Sequence, residues 1–261
     1  TLAERGRELG GRLLHDSALP GLSTWIRVRD HRQHLLEKLS NVSIYRESAL
    51  AASDIRDFGA DQVVIATGSR WRRDGIGTAR EQPALIDADA ATRTPDDLDN
   101  LQGPVLIYDD ENYYMGGALA EQLRRQGHDV TYVTSQPVVS AWTQMTDEQG
   151  FVQQRLLDLG VRLVVSHVLQ AVAKGHATFA YALSASPVTM TFGSIVLVTG
   201  RLPVDDLYRE LAQNVAAPAV ARIGDCFSPG PVADAVYAGH RFAREFDSSA
   251  AVVLRRERPD P

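Results

Sequence analysis

The sequence predicts an α/β fold, and three of its features lead to that prediction. Strand-like apolar runs alternate with amphipathic helical segments along most of the 261 residues. Between residues 161 and 200, short runs rich in β-branched and aromatic side chains indicate an antiparallel meander. The run VVIATG at 63–68 is echoed by IVLVTG at 195–200, so we expect two related strand–helix units.

The composition is that of an ordinary globular protein, with 44% apolar and 23% charged residues. No apolar stretch is long enough to cross a bilayer, and the first residues do not resemble a signal peptide, so we expect a cytoplasmic protein with no membrane partner. The single cysteine, Cys226, excludes an internal disulfide framework and a cysteine-ligated metal cluster within these residues. A net charge of −6 argues against a nucleic-acid partner.

The first hundred residues contain the elements of one strand–helix unit. Residues 1–3 are expected to end a strand, and residues 42–45 and 62–66 to form two more. Residues 70–103 are polar and contain two prolines, so we predict a connector with at most one short helix. Helical periodicity covers residues 23–39, and the expected buried face consists of Trp25, Ile26, Leu35, Leu36 and Leu39.

The rest of the chain begins with a second unit. The stretch VLIYDDENYYMGGALAEQLRRQGHDVTYVTS, residues 105–135, has the pattern of strand, loop, amphipathic helix and strand. After the meander we expect a short buried strand at 220–226, a helix over 231–246 and a frayed tail at 251–261. A helix over 146–160 is predicted between the second unit and the meander, with a buried side formed by Phe151, Leu156, Leu157 and Leu159.

The loop of the second unit lacks most of the glycines of a dinucleotide-binding fingerprint. In that fingerprint the first glycine makes the turn, the second lets the pyrophosphate approach and the third packs helix against strand. Counted back from the helix, the three positions fall on Glu111, Tyr113 and Gly116. Thr134 and Ser135 replace the acid that would bind the ribose. We predict that the unit keeps the fold and has lost NAD; an acidic surface loop without consequence is the open alternative.

The start of the chain has the opposite pattern. Glu4 follows the first strand where a ribose-binding acid belongs, and Gly10 and Gly11 would let the backbone approach a phosphate. The strand and glycine loop that would come before that acid are not among these residues. On its pattern alone, the segment also fits an exposed glutamate before a turn.

Five segments, taken in order, resemble one flavoenzyme family. They are ERGRELGGRLLHDSALPGLSTW, GADQVVIATGSRWRRDG, YDDENYYMGGALAEQL, LVTGRLPVDDLYREL and IGDCFSPGPVADAVYAGHRFAREFD. They resemble the C-terminal half of the trimethylamine, dimethylamine and histamine dehydrogenases and related N-demethylases, which are kin of 2,4-dienoyl-CoA reductase. The resemblance covers nearly all of residues 1–250 and includes the unusual glycine-poor loop YYMGG.

The resemblance implies a glutathione-reductase-like pair of Rossmann-type nucleotide-binding domains, with the first βαβ unit incomplete here. An FAD- or ADP-binding domain would comprise residues 1–100 and a return segment at 203–250, and a degenerate NAD-binding domain residues 101–202. The resemblance also implies ADP or FAD in the first unit and no NAD. FMN and a 4Fe-4S cluster would lie in an N-terminal barrel outside these residues. Electrons would pass to an electron-transferring flavoprotein.

The same resemblance implies roles for individual residues. Glu4 matches the acid that binds the ADP ribose, and Asp225 matches the aspartate that meets the ribityl or pyrophosphate region of FAD. Tyr113 matches an exposed tyrosine used in docking the flavoprotein partner. The implied cofactor-binding set is Glu4, Arg5, Gly10, Gly11, Thr67, Gly68, Gly224 and Asp225.

Three functions remain open at this stage. The first is the nucleotide-binding portion of an amine dehydrogenase or demethylase, which docks an electron-transfer partner. The second is an NAD(P)H-dependent flavin oxidoreductase of the dienoyl-CoA reductase type, and the third is an inert interaction module. A homo-oligomer is also left open. We predict no catalytic residue and no metal site, because His31 and His34 have no third ligand and Cys226 is expected to be a buried wall residue.

Overall fold

The structure is a computed structural model that describes residues 1–87, 90–213 and 218–246. The predicted tail at 251–261 therefore lies outside the described residues. None of the described helices is long and apolar enough to cross a membrane.

The described residues form fifteen strands and seven α-helices, numbered in chain order. The strands are β1 Leu2–Ala3, β2 Ile44–Tyr45, β3 Gln62–Ile65, β4 Ser69–Trp71, β5 Leu85–Ile86, β6 Thr92–Arg93, β7 Val105–Asp109, β8 Val130–Thr134, β9 Arg162–Val164, β10 His167–Ala173, β11 His176–Tyr181, β12 Pro187–Thr191, β13 Ser194–Val198, β14 Arg201–Pro203 and β15 Ala219–Arg222. The helices are α1 Leu13–Asp16, α2 Ile26–Glu37, α3 Ala52–Phe58, α4 Tyr114–Arg125, α5 Gln149–Asp158, α6 Asp206–Ala212 and α7 Val232–Glu245. Three short 3-10 helices lie at Ser23–Trp25, Ala141–Thr146 and Gly224–Cys226.

The chain divides into two compact units. Unit 1 consists of residues 1–49 and 70–202, and unit 2 of residues 50–69 and the chain from 203 onward. This division groups the first 49 residues with the second predicted domain, whereas the sequence analysis assigns residues 1–100 to the first domain. The nucleotide-binding roles assigned to the domains stay predictions.

Unit 1 is built on a five-stranded sheet in the order β6-β13-β7-β8-β9, in which every neighbouring pair is parallel. Strands β7 and β13 are buried at every residue. Their sequences, VLIYD and SIVLV, each contain four consecutive apolar or aromatic residues, the pattern expected of parallel strands that are covered on both faces. The strand–loop–helix–strand pattern predicted at 105–135 is confirmed.

Each face of this sheet supports its own core. On one face α4 and α5 pack with side chains such as Ile107, Tyr132 and Leu156. The alternate residues of the strands, including Tyr108, pack with Phe179 in a second core against the meander. The meander is the sheet β12-β11-β10-β5, antiparallel except where β5 joins β10 in parallel, so the predicted antiparallel meander is confirmed.

The N-terminal part of unit 1 is less buried than its pattern predicts. Strand β1 pairs in parallel with β2, and α2 packs mainly against α1 and the 3-10 helix before it. Trp25, Ile26 and Leu36 are only partly buried, and Leu35 and Leu39 are 47% and 49% exposed. None of the five residues expected to form the buried face over 23–39 is buried, so that expectation is wrong.

Unit 2 contains the parallel pair β3 and β15 with α3, α6 and α7. Its core consists of Ala52, Ile55, Ile65, Leu211 and Cys226. The expected strand over 220–226 ends at Arg222, and its residues are only partly buried. A 3-10 turn follows it.

One further expectation is wrong in part, and several short elements were not predicted. The connector at 70–103 has no helix among its described residues, which the prediction of at most one short helix allows, and it contains β5 and β6, which pair with the distant strands β10 and β13. In α5, Leu156 is buried, but Phe151 and Leu157 are 70% and 55% exposed. Helices α3 and α6 were not predicted, since seven residues each is too short for a clear apolar period.

Candidate functional site

In the loop between β7 and α4, backbone amides donate to the carboxylate of Asp109, the last residue of β7. We call this segment, Asp109–Asn112, the closed loop. Asp109 is fully buried, and its Oδ1 accepts hydrogen bonds from the backbone amides of Glu111 and Asn112 at 3.1 and 2.9 Å. Its Oδ2 accepts a hydrogen bond from the hydroxyl of Tyr132 on β8. In a dinucleotide-binding unit, amides at this position face the pyrophosphate. Here a carboxylate of the chain itself satisfies two of them.

The electrostatics of this loop oppose a further anion. Burial is the main cause that raises the pKa of Asp109 to about 7; the charge of Glu111 adds to it, and the hydrogen bonds from Tyr132 and the two amides lower it. Burial also raises the pKa of Glu111, although the charges of Arg201 and Arg12 counteract it. The Arg201 guanidinium lies 3.5 Å from Glu111 Oε1. A phosphate added here would meet buried acidic groups that are already only partly compensated.

The next residue, Asp110, binds Thr78 and Ala79, which belong to a separate segment of the chain that lies at the end of β7. Its buried carboxylate accepts hydrogen bonds from the Ala79 amide at 2.9 Å and from the hydroxyls of Thr78 and Ser135 at 3.0 and 2.6 Å. The Thr78 amide donates to the Asp110 carbonyl at 3.1 Å. Open α/β sheets bind ligands at the carboxyl ends of their strands. In unit 1 a segment of the chain fills that position at β7.

Asn112 completes the loop. It is fully buried and has a φ of 65°, a left-handed conformation that asparagine tolerates better than most residues. Its Nδ2 donates to the Thr78 hydroxyl at 2.7 Å, and its Oδ1 accepts from the Thr134 hydroxyl at 2.9 Å. The interpretation of this segment as an acidic surface loop is wrong, because Asp109, Asp110 and Asn112 are all 0% exposed.

Gly116 has the packing role expected of the third fingerprint glycine. A Cβ at this position would lie 2.6 Å from Cγ of Asp109, so α4 can approach the end of β7 only without a side chain there. Gly117 is similarly confined, because its Cβ would lie 2.9 Å from Ser140 Oγ. Two adjacent glycines therefore allow α4 to pack closely against its neighbours.

Tyr113 stands at the start of α4, where it is half-buried. Its ring centroid is 4.3 Å from that of Tyr114, and Tyr114 packs edge-on against Trp25 at 5.3 Å. The Tyr114 hydroxyl donates to the carboxylate of Glu148. Burial, followed by this hydrogen bond, raises the pKa of Tyr114 to about 12. The three rings form an aromatic cluster beside the closed loop.

A cavity of about 270 Å³ lies beside Tyr114, with α4 and α5 contributing to its wall. Glu121 is buried in this wall and bridges Arg125 and Arg155 at 2.8 and 3.3 Å. Phe151 lines the cavity, yet most of its ring is exposed. Trp142 and Met145, in the preceding 3-10 helix, are also exposed. We call Tyr113, Trp142, Met145 and Phe151 the apolar patch.

The glycine-rich loop at the start of unit 1 has a different geometry. The Glu4 amide donates to the Tyr45 carbonyl at 2.8 Å, and Glu4 Oε1 accepts from the Gly6 amide at 2.7 Å. Gly10 and Gly11 have φ values of 126° and 53°, which side-chain-bearing residues rarely adopt. Arg5, the remaining predicted binding residue of this loop, is exposed. The structure thus brings these four predicted site residues together on one loop.

The other four predicted site residues lie in unit 2. Thr67 and Gly68 follow β3, while Gly224 and Asp225 follow β15; because these strands are parallel, the two pairs share one end of the sheet. The Thr67 hydroxyl donates to the Val204 carbonyl at 2.5 Å.

Asp225 is buried and well held. Its Oδ2 accepts from the Ser69 hydroxyl at 2.9 Å and its Oδ1 from the Gly230 amide at 3.3 Å. Cys226 beside it is fully buried, as expected, and its Sγ lies 3.3 Å from the Thr67 hydroxyl; its place in the wall of a cofactor site stays a prediction. Within the described part of the chain, no group of three or more potential metal ligands comes together.

The proteins to which this chain is similar include several oxidoreductases. No protein-family profile matches it. Dimethylamine dehydrogenase of Hyphomicrobium sp. (strain x) is 30% identical over 95% of this chain and 38% of its own length. Histamine dehydrogenase from Rhizobium sp. 4-9 is 38% identical with a TM-score of 0.90, over 99% of this chain and 41% of that structure. The 6-hydroxypseudooxynicotine amine oxidase (HisD) of Pseudomonas geniculata N1 is 36% identical, again with a TM-score of 0.90, over 94% of this chain and 38% of that structure.

The chain is therefore homologous to a portion of dimethylamine dehydrogenase and histamine dehydrogenase, and the resemblance stated from the sequence is confirmed. It spans about two fifths of the length of these relatives.

Proposed function

We propose that this chain is the nucleotide-binding and partner-docking portion of an amine dehydrogenase or N-demethylase. The observation that carries the proposal is the closed loop at Asp109–Asn112 in a chain homologous to amine dehydrogenases. A homologue of such enzymes that cannot use NAD must pass its electrons elsewhere. FMN and a 4Fe-4S cluster would belong to the part of the enzyme outside these residues, and the whole enzyme would be cytoplasmic.

The first loop is the proposed nucleotide site. ADP or FAD offers ribose hydroxyls and a diphosphate, which need a carboxylate acceptor and close backbone approach, respectively. Glu4 supplies the carboxylate, already oriented by the Gly6 amide, and Gly10 and Gly11 supply backbone without side chains. In unit 2, Gly68 and Asp225 would serve the same ligand class, because they lie at the carboxyl end of a parallel pair of strands.

Titration calorimetry of the intact enzyme with ADP, FAD and NADH tests this assignment. We expect binding of ADP or FAD, and no NADH binding in the micromolar or millimolar range. NADH binding at millimolar or tighter affinity would refute the assignment of a closed second loop. Absence of both ADP and FAD binding would refute the nucleotide site of the first loop.

The second candidate is the NAD(P)H-dependent flavin oxidoreductase of the dienoyl-CoA reductase type. It requires NADH to reduce the flavin of the enzyme. Bleaching of the flavin after rapid mixing with NADH would favour this candidate, whereas bleaching by an amine alone would favour the first. An inert interaction module would show neither.

The apolar patch is the proposed docking face for an electron-transferring flavoprotein. Met145 and Phe151 are 82% and 70% exposed, and Phe151 borders a cavity wide enough to receive an apolar side chain. Exposed aromatic residues and methionine beside a pocket are typical of the centre of a protein interface. We expect Tyr113→Ala and Phe151→Ala each to weaken flavoprotein binding about tenfold, measured by surface plasmon resonance.

Leu157→Ala is the matched control, since Leu157 is also exposed on α5 but does not line the cavity. Equal affinities for the wild type and both patch variants would remove the docking assignment.

A further inference from the structure

Helices α4 and α5 are joined by two polar contacts. The Tyr114 hydroxyl donates to the Glu148 carboxylate, and Nη1 of Arg155 lies 3.3 Å from Oε2 of Glu121. On each helix the two residues involved are seven positions apart, so two helical turns, or about 10.5 Å, separate the contacts. All four residues line the cavity of about 270 Å³, whose lining residues all belong to unit 1. The cavity therefore extends between the two contacts.

The wall between these contacts is mostly apolar. Leu22 and Leu156 line it and are buried, and Ala118 contributes only a methyl group, which leaves space in front of α4. The rings of Tyr114 and Phe151 also line the cavity, and Phe151 stands at its opening because most of its ring is exposed. Pockets that bind small molecules begin at about 300 Å³. The cavity thus has the size and the wall of a site for a small molecule with an apolar body.

The two acids of the cavity differ in how their charges are compensated. Glu121 is buried, and its carboxylate pairs with Arg125 and Arg155. Glu148 is exposed and forms no ion pair with an arginine or lysine in the part of the chain that the structure describes. The hydrogen bond from Tyr114, followed by that from Thr146, holds the pKa of Glu148 below its usual range, so this carboxylate is ionised at neutral pH.

The same two hydrogen bonds orient the Glu148 carboxylate. Both hydroxyls, that of Tyr114 and that of Thr146, donate to Oε2. Oε1 of Glu148 therefore stays available as an acceptor, since no described group of the chain donates to it. One end of an apolar and aromatic cavity thus holds a fixed negative charge with a free oxygen.

We propose that this cavity binds a small organic cation with an aromatic body, of the arylalkylammonium class. The ammonium group would donate to Oε1 of Glu148 beside the rings of Tyr114 and Phe151, and the faces of such rings attract cations. The aromatic body would lie against the apolar wall and displace water from it. An anionic ligand would be repelled by Glu148, and the Arg155 guanidinium in the wall already pairs with Glu121.

This site is separate from the proposed nucleotide site and does not depend on it. The residues that line the cavity include none of the proposed nucleotide-binding residues, so a failure to bind ADP or FAD would leave the cation site untested by that result and intact. Phe151 is shared with the apolar patch. A bound cation would therefore lie beside the proposed docking face and fill the cavity next to it.

Titration calorimetry of the intact enzyme with phenylethylammonium tests the proposal at pH 7, where the probe carries its charge. The titrations are anaerobic, so that no turnover is sustained. We expect a site with a dissociation constant of about 1 mM or lower in the wild type, at least about tenfold weaker in Glu148→Gln and unchanged in Asp147→Asn. Asp147 is the matched control, because it is the adjacent exposed carboxylate and does not line the cavity.

Binding of the probe elsewhere in the enzyme is common to all three proteins, so the difference between them reports this cavity. The absence of any binding that Glu148→Gln weakens would overturn the proposal. Equal weakening in Asp147→Asn would also overturn it, because it would show a general effect of surface charge.

Two further titrations separate the charge from the cavity. Phenylethanol has the same aromatic body without the charge, and we expect it to bind at least about tenfold more weakly than the ammonium. Ala118→Leu keeps Glu148 but fills the cavity, so we expect it to remove the site, while its melting temperature shows that the fold is kept. Phenylethanol binding as tight as that of the ammonium, or full binding of the ammonium by a folded Ala118→Leu, would contradict a cation site inside the cavity.

Discussion

Unit 1 has two loops that follow parallel strands, one after β1 and one after β7, and their backbone amides are bound differently. After β1, Glu4 turns back onto the Gly6 amide, and two glycines with positive φ keep the backbone bare. After β7, Asp109 and Asp110 are buried, and the first of them binds the amides that begin α4. Both loops therefore bind backbone amides with an acid of the chain, but Glu4 binds one amide and lies before two bare glycines, whereas Asp109 binds two amides at the start of a helix.

This comparison also changes the reason for the predicted loss of NAD binding. From the sequence, the Tyr113 ring is the main obstacle, because it stands at the second glycine position. In the structure the ring is half-buried beside Tyr114, and the amides of Glu111 and Asn112 already donate to the carboxyl oxygen of Asp109. The second loop therefore differs from the first in its missing glycines and in the two amides before α4 that Asp109 occupies.

The largest effect is expected at Gly116. Gly116→Val would drive a side chain into Asp109, because even a Cβ would lie 2.6 Å from the Asp109 Cγ. We expect a loss of about 3 kcal/mol in the free energy of unfolding, measured by urea denaturation. The matched control is Gly150→Ala in α5, where a Cβ meets nothing within 4 Å and the helix should gain about 0.5 kcal/mol. Wild-type stability in Gly116→Val would show that α4 does not pack tightly against Asp109.

The second prediction concerns pH. Below the unfolded pKa of 3.8, Asp109 is protonated in both states, and above about 7 it is ionised in both. Between these values the folded protein keeps a proton that the unfolded chain has released. Stability from this group is therefore fully present at low pH and is lost as pH rises toward 7, by at most about 1.4 kcal/mol per pH unit.

Asp109→Asn should remove this slope, because an amide stays neutral while its oxygen can still accept from the two backbone amides. We expect the variant to be less pH-dependent between pH 4 and 7 and more stable than the wild type at pH 8, in urea titrations at each pH. Asp147→Asn, at an exposed carboxylate, is the control and should leave the curve unchanged. The same slope in the wild type and Asp109→Asn would exclude Asp109 as its source.

The third prediction concerns the first loop. Glu4→Gln keeps the size of the side chain but removes the charge proposed to bind ribose hydroxyls. We expect ADP affinity to fall about tenfold by titration calorimetry, equivalent to about 1.4 kcal/mol. Glu8→Gln is the control on the same loop, since Glu8 pairs with Arg29 at 3.4 Å and has no proposed ligand. An ADP affinity that is unchanged in Glu4→Gln would contradict the proposal that Glu4 binds the nucleotide.

The sequence predicted the parts of this comparison that depend on local periodicity. Strands β7, β8 and β13 and helix α4 were predicted because their apolar residues recur with clear spacing. Gly116 was also identified, since its position relative to the helix follows from counting. Gly10 and Gly11 of the first loop were identified from the sequence for the same reason, and both have a positive φ.

The burial of the acidic residues could not be predicted from periodicity. Asp109 and Asp110 look like surface residues in a local pattern, and they are buried because distant groups bind them. Tyr132 and Thr78 lie 23 and 32 residues away in sequence, so nothing local shows that they meet these carboxylates. The prediction that Phe151 is buried was wrong for the opposite reason. Periodicity predicts burial for an apolar residue on a helix even where that residue borders an open cavity.

The smallest expected effect is the sharpest test of the comparison. The double variant Glu111→Gly with Tyr113→Gly restores the first two glycines of the fingerprint and removes the aromatic ring. We expect NADH affinity to stay weaker than about 1 mM by titration calorimetry, because Asp109 can still bind the amides at 111 and 112. Unchanged ADP binding serves as the control for folding. Micromolar NADH binding by this variant would mean that the missing glycines, and not the carboxylate of Asp109, prevent the second loop from binding NADH.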